Sequence, residues 1–225
     1  RELNMNQNEQ KLLIILSEAE IEALYSRPIF ENHEELTTYF SLPSEAKDHL
    51  QPLAAASAVY FRLQWGYFRM RHRFYEIQFS DVYSEMQFIN KNYFGNRLST
   101  KDLYTPCRHT CNKIKKSILT LFKYQQVDKK RRENLVKQAR KLASQHNKPT
   151  IIFKELRSYI ERRCWVLPAY SAMQNIIGQA INQEVLRLTN KIERLLPKKT
   201  KSRINELLAT EENFYGITEQ KKDIK

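Results

Sequence analysis

Glycine is the scarcest structural device in this chain, with four in 225 residues. Strand-rich folds and glycine-loop nucleotide sites need it wherever the backbone turns to positive φ or comes close to another group. Hydrophobic content is 41%, enough for a packed core. A globular chain this poor in glycine favours helices, and we read it as all-α.

Helix signals support that reading. Ser17-Glu18-Ala19-Glu20 has the form of a capping box, opening a short helix to Tyr25 that Arg27-Pro28 ends. Pro43-Ser44-Glu45 opens another. Residues 53–73 read as a buried helix, because Leu53, Val59, Phe61, Leu63, Trp65 and Phe68 leave few polar positions. Ser80 or Asp81 is expected to cap a helix over 82–93, Gly95-Asn96 is a turn, and Ser99 to Asp102 starts a short helix. Thr105-Pro106 reads as N-cap and first position of a helix to residue 124. Its inward side is Cys107, Cys111, Ile114, Ile118 and Leu121. Its outer side is His109, Lys113, Lys116 and Thr120, flanked by Arg108, Asn112 and Lys115. A short helix, a turn and a long basic helix are what a helix-turn-helix needs.

The second half repeats the pattern. Lys129 to Arg132 reads as a boundary. A helix over 131–145 follows, with Leu135, Val136, Ala139 and Leu142 as its apolar stripe. Asn147 to Thr150 breaks it, and a second helix covers 152–164. After Leu167-Pro168-Ala169-Tyr170, Ser171 is expected to cap a long helix reaching Leu196 before Pro197. The fold expected is two consecutive helical DNA-binding modules of helix-turn-helix type, over 1–126 and 127–197. A basic stretch, 198–225, weakly helical through Leu207 and Leu208, reads as a linker to a further domain. Because the chain opens with Arg1 rather than Met, it reads as a trimmed or internal fragment.

Charge narrows the partner. Residues 1–60 carry 4 Lys and Arg against 10 Asp and Glu, a net −6. Residues 61–125 carry +8 and residues 126–225 carry +11, so the positive field belongs to everything after Tyr60. Such asymmetry points to a polyanion. The odd set Cys107, Cys111 and Cys164, with no apolar leader, argues against a disulfide-stapled secreted protein. No apolar run reaches membrane-spanning length. A soluble cytoplasmic protein is expected. Cys107, His109 and Cys111 lack a fourth ligand for zinc, and the five histidines are scattered. There is no phosphate loop and no nucleophile elbow, so neither catalytic residues nor a cofactor is expected.

Two stretches are candidates for DNA contact beside the basic helix. After Ser171, the amides Gln174, Asn175, Gln179, Asn182 and Gln183 oppose the apolar Ile176, Ile177, Ala180, Ile181 and Leu188. Amides address adenine edges in the major groove, and Arg162 and Arg163 precede them, suited to phosphates. The same amides are also ordinary exposed helix residues, and spacing alone leaves both readings open. Earlier, Arg62, Arg69, Arg71 and Arg73 lie among Tyr60, Phe61, Trp65, Tyr67, Phe68 and Phe74. Most of these rings are expected in the core, which leaves the arginines and Tyr67 as candidates for contact.

Four runs resemble one family, in the same order. They are Leu16 to Tyr25 with Arg27-Pro28-Ile29-Phe30, Tyr39-Phe40-Ser41-Leu42 with Glu45, Phe61 to Phe74, and Val166-Leu167-Pro168-Ala169-Tyr170 with Met173-Gln174 and Ile176-Ile177. Together, over residues 12–196, they resemble the N-terminal region of the Tn-three-type (TnpA) replicative transposases. His72 and Ala169 stand where that family often has glycine, and His72 adds a possible cation beside Arg71 and Arg73.

The resemblance implies sequence-specific binding to the terminal inverted repeats of a transposon, in the nucleoid-associated cytoplasm of a bacterium. It places the ribonuclease-H-like catalytic domain, with its three acidic residues and magnesium, beyond Lys225, so this fragment itself is expected to be no enzyme and to need no metal. Expected partners are double-stranded DNA and, through the parent transposase, a second copy. Base reading then falls to Gln174, Asn175, Gln179 and Asn182, with Ser171 at the helix start. Backbone contact falls to Arg69, Arg71, Arg73, Arg108, His109, Lys113, Lys116, Arg162 and Arg163. The alternative is a helical protein-interaction domain with a non-specific basic surface, which predicts binding without sequence preference. A standalone nuclease ranks third.

Overall fold

The computed structural model describes residues 13–197 and 199–204. They form α1 (Glu18–Tyr25), α2 (His33–Phe40), α3 (Ser44–Asp48), α4 (Ala55–Arg71), α5 (Tyr83–Tyr93), α6 (Arg108–Phe122), α7 (Lys129–Ala143), α8 (Pro149–Arg162) and α9 (Tyr170–Leu195). Single 3₁₀ turns cover Phe79–Val82 and Thr100–Asp102. Among the described residues there is no strand, only an isolated bridge between Gln125 and Trp165. No helix of the described residues is long and apolar enough to cross a membrane. Leu207 and Leu208 lie outside the described residues.

Local chemistry set several helix starts as expected. Ser17 Oγ accepts from the Glu20 amide, and Glu20 Oε2 accepts from the Ser17 amide at 2.9 Å. Helix α2 was not expected. Its N-cap is Asn32, whose Oδ1 accepts from the Glu35 amide at 2.9 Å.

Other starts differ from expectation. The Thr105 hydroxyl turns to the Ile77 carbonyl and Gln78 Oε1, so α6 begins only at Arg108, with Cys107 as N-cap. Cys107 is therefore exposed rather than inward. Helix α9 begins at Tyr170 with Ala169 as N-cap, and Ser171 is an exposed residue of the first turn, not a cap. Ser80 and Asp81 lie inside a 3₁₀ turn, and Val82 precedes α5 without a side-chain cap. Lys129 to Arg132 is the first turn of α7; Asp128 Oδ1 caps it, accepting from the Arg131 amide at 2.8 Å.

Two hydrophobic cores result. The first joins α2, α4, α5 and α6 around Phe40, Phe61, Leu63, Tyr67, Phe68, Ile89 and Ile118. Helix α4 is buried from Ala58 through Phe68, Arg62 and Gln64 included. Arg62 lies 3.6 Å over the Tyr93 ring and donates to the Phe40 carbonyl at 2.9 Å. Gln64 donates to the Tyr60 hydroxyl and the Tyr75 carbonyl. These partners offset the cost of burying polar groups among aromatics. Gly66 lets α2 come close, because a Cβ there would meet the Phe40 ring at 2.3 Å.

The second core is the bundle α7–α8–α9, built on Leu135, Ile152, Phe153, Leu156, Ile160, Met173 and Ile177. Ile15 and Leu16 also belong to it. Their amides donate to the Tyr170 hydroxyl at 3.2 and 3.1 Å, and Thr150 donates to the Ile15 carbonyl at 2.9 Å. The start of the described chain thus packs with the C-terminal helices, across the sequence division at 126. Gln125 ties the halves again: its amide donates to the Cys164 carbonyl at 2.9 Å, and its carbonyl accepts from Val166 at 3.0 Å. The links from α5 to α6 and from α8 to α9 span residues 94–107 and 163–169. The 3₁₀ turn Thr100–Asp102 lies inside the first link and leaves residues 103–107 before α6, against three or four residues in the usual helix-turn-helix turn.

Candidate nucleic-acid interface

Helix α6 carries no acidic residue. Its inward positions are Ile114 and Ile118. That facing leaves Arg108, His109, Asn112, Lys113, Lys116 and Thr120 exposed, as the sequence predicted. Arg108 stands in the first turn, where the helix dipole is positive and cations are unfavourable. Lys115 is half-buried, 5.9 Å over the Phe74 ring.

Helix α7 is the candidate that the sequence reading missed. Lys129, Lys130, Arg132, Lys137, Arg140 and Lys141 are all exposed on it, against one acid, Glu133. Its first turn holds four cations, and Asp128 answers only Arg131. Each of the others opposes the dipole by some tenths of a kcal/mol. An external anion near that turn would relieve the field. The signal was present in the run Lys129 to Arg132, which the sequence reads as a boundary.

Helix α9 presents part of the amide face. Asn175, Gln179 and Asn182 are exposed at i, i+4 and i+7, one side of the helix. Gln174 is not with them. It is buried, and its amide nitrogen donates to the Leu13 carbonyl at 2.9 Å. The expected reading role for Gln174 is therefore corrected to a structural one.

The arginines scatter over several places. Arg71 and Arg73 line a cleft of about 140 Å³ between the two cores, with Arg157, Glu161 and His72. Arg73 lies 4.2 Å over Tyr25, and its Nε and Nη1 are buried without a partner. Arg69 is elsewhere, beside Ser41, Trp65 and Phe122, donating to the Thr38 carbonyl at 2.5 Å. Arg163 lies 4.5 Å over Tyr159 and 5.5 Å from the Trp165 ring, and Arg162 is exposed. Tyr67 is fully buried with its hydroxyl 3.2 Å from Glu85 Oε1, so it is no contact residue.

His72 lines the same cleft as Arg71 and Arg73. Its ring stacks on Tyr124 at 4.8 Å, and burial pulls its pKa below the ordinary histidine value. Its backbone sits in the left-handed region, φ 51°, as C-cap of α4. That is a conformation glycine adopts more readily, so a side chain at position 72 carries a local cost. Burial also lowers the Arg62 pKa to about 10.

Among the described residues three ion pairs form: Arg131 with Asp128, Arg157 with Glu161, and Arg187 with Glu184. None involves the outer face of α6 or the exposed cations of α7. Those side chains keep their counterions, and a polyanion that displaces the ions gains their entropy. Among the described residues no three His, Cys, Asp or Glu side chains come together as metal ligands.

No curated protein matches the chain. Residues 15–180 match the model of a family described as a domain of unknown function (DUF4158). The matched span starts just before α1 and ends inside α9, covering both cores.

Proposed function

The chain belongs to the DUF4158 family, and from that premise we propose that it binds double-stranded DNA, recognising the terminal inverted repeats of a transposon for a transposase. The observation that carries the reading is the pair of unpaired basic faces on α6 and α7, beside the exposed amides Asn175, Gln179 and Asn182. The domain is known in transposase-associated proteins, which agrees with the resemblance of the four sequence runs.

The roles divide by chemistry. Arg108, Lys113, Lys116 and the α7 cations neutralise phosphates and supply salt-dependent affinity. Asn175, Gln179 and Asn182 reach base edges, and α9 serves as the reading helix with α8 behind it, in a helix-turn-helix-like use of a longer connection. Arg162 sits at the end of α8 and fixes the register on the backbone. Two weak contacts on one chain give a tight whole, because binding the first raises the effective concentration of the second.

Fluorescence anisotropy with the repeat duplex and a scrambled duplex, at two salt concentrations, tests this. Preference for the repeat with affinity falling steeply in salt supports it. Equal weak binding to both duplexes reduces the surface to a basic helical one, and the absence of binding removes the DNA reading.

A further inference from the structure

The C-terminal half of α9 runs out of the body with an apolar stripe. Ala180 is its last buried residue and Ile181 packs at the edge of the second core. Beyond them Val185 is 56% exposed, Leu188 43%, Ile192 54% and Leu195 72%. Positions 181, 185, 188, 192 and 195 alternate steps of four and three, the spacing of a coiled-coil seam. The β-branched Val185 and Ile192 occupy a positions, and Leu188 and Leu195 occupy d. That assignment favours two parallel strands. Leu186 is also exposed but stands outside the seam.

We propose that this stripe is the seam of a two-stranded parallel coiled coil, and that the strand it takes is a second copy of this chain. Charge selects the orientation. In parallel register Glu184 faces Thr189 of the other copy and Lys191 faces Leu196, so no like charges meet. Reversing one strand about the middle of the seam sets the two Lys191 side chains beside each other, which is repulsive. Glu184 is held locally by Arg187 at 2.6 Å and makes no demand on a partner.

The area bounds the strength. An aliphatic side chain buries on the order of 60–120 Å² when fully covered. Four half-exposed seam residues on each of two chains then remove roughly 500 Å², below the ~1,200 Å² of a standard interface. An interface of that size makes a weak, concentration-dependent dimer. Two heptads suffice because packing of the first half has already nucleated the helix, so association does not bear that cost. The bodies are both strongly positive, so dimerisation strengthens with salt, the opposite of DNA binding. The inference stands apart from the DNA reading.

Sedimentation equilibrium of the full 225-residue chain, without DNA, tests it. A reversible monomer–dimer equilibrium with Kd of roughly 1–100 µM is expected. Leu188→Glu with Ile192→Glu, both at exposed sites, shifts the chain to monomer by more than ~100-fold in Kd while its helical circular dichroism is unchanged. A wild-type monomer at all concentrations, or a double variant that dimerises as wild type does, overturns the proposal. Under mild oxidation Ile192→Cys forms a disulfide between the two introduced thiols, mapped by mass spectrometry, only when the strands are parallel. A dimer that never cross-links there refutes the parallel seam.

Discussion

Gly66 on α4 faces the Phe40 ring on α2 so closely that a single added methyl would lie 2.3 Å from two ring carbons. Phe40 is fully buried and touches Phe30, Tyr67 and Phe88, so the ring has little room to retreat. Gly66→Ala should gain helix propensity but lose more through overpacking, a net cost of about 1–3 kcal/mol. A thermal melt lower by roughly 2–10 °C is expected for a chain of this size. An unchanged melt would show that α2 can slide away from α4.

Gln174 and its neighbour Asn175 should separate stability from recognition. Gln174→Ala removes the tie to the Leu13 carbonyl and should lower stability by about 1–3 kcal/mol, leaving sequence preference intact. Asn175→Ala combined with Gln179→Ala should leave the melt unchanged and flatten the preference for the repeat duplex, each lost amide contact being worth about 1–3 kcal/mol of discrimination. Retained preference in that double variant would refute the reading assigned to the exposed amides.

Lys113→Ala with Lys116→Ala on α6 should weaken binding to all duplexes alike. If both touch phosphates, the slope of log affinity against log salt should fall by about 2, near 0.9 for each contact. An unaltered slope would place the backbone contacts elsewhere, with α7 the first alternative.

His72 gives stability a pH dependence. Its folded pKa lies below the unfolded one because of burial, so the unfolded chain binds the proton first as acidity rises. Stability is complete above the ordinary histidine pKa of about 6.5 and is lost as the pH falls through the lowered value. Melting curves between neutral and pH 5 should decline more for wild type than for His72→Gln. Parallel declines would assign the loss to other groups.

Arg62 should resist conservative exchange. Its guanidinium uses one face on Tyr93 and one edge on the Phe40 carbonyl, a planar geometry that lysine lacks. Arg62→Lys should destabilise by about 2–4 kcal/mol, since it strands a buried charge. Chemical denaturation measures the loss; a lysine variant as stable as wild type would mean the site opens to water.

The helical class was readable from glycine scarcity and from caps such as Ser17 with Glu20, which act within four residues and need no tertiary information. The outer face of α6 was readable too, because Ile114 and Ile118 fix which side turns inward. The fate of Gln174 was not: its partner lies 161 residues away, and no local pattern marks an amide that closes on a distant carbonyl. Thr105 failed as a cap for the same reason, since Ile77 and Gln78 compete for its hydroxyl. Helix α2 was missed although Asn32 stands three residues before Glu35, the plain form of an N-cap. The sorting of the arginines needed tertiary packing, because alternation with aromatics does not tell which heads stack and which point out.

The pairing of Gln125 with Cys164 and Val166 makes the protein a ruler. Two bodies joined by a loose tether adapt to whatever gap separates their targets; two bodies stitched at the tether, and again by Ile15 and Leu16, hold one fixed reach. Any duplex that engages both must offer its two grooves at that reach and at that angle around the helix axis. A change of five base pairs between them, about half a turn, carries one groove to the far side of the duplex, where the second body does not follow.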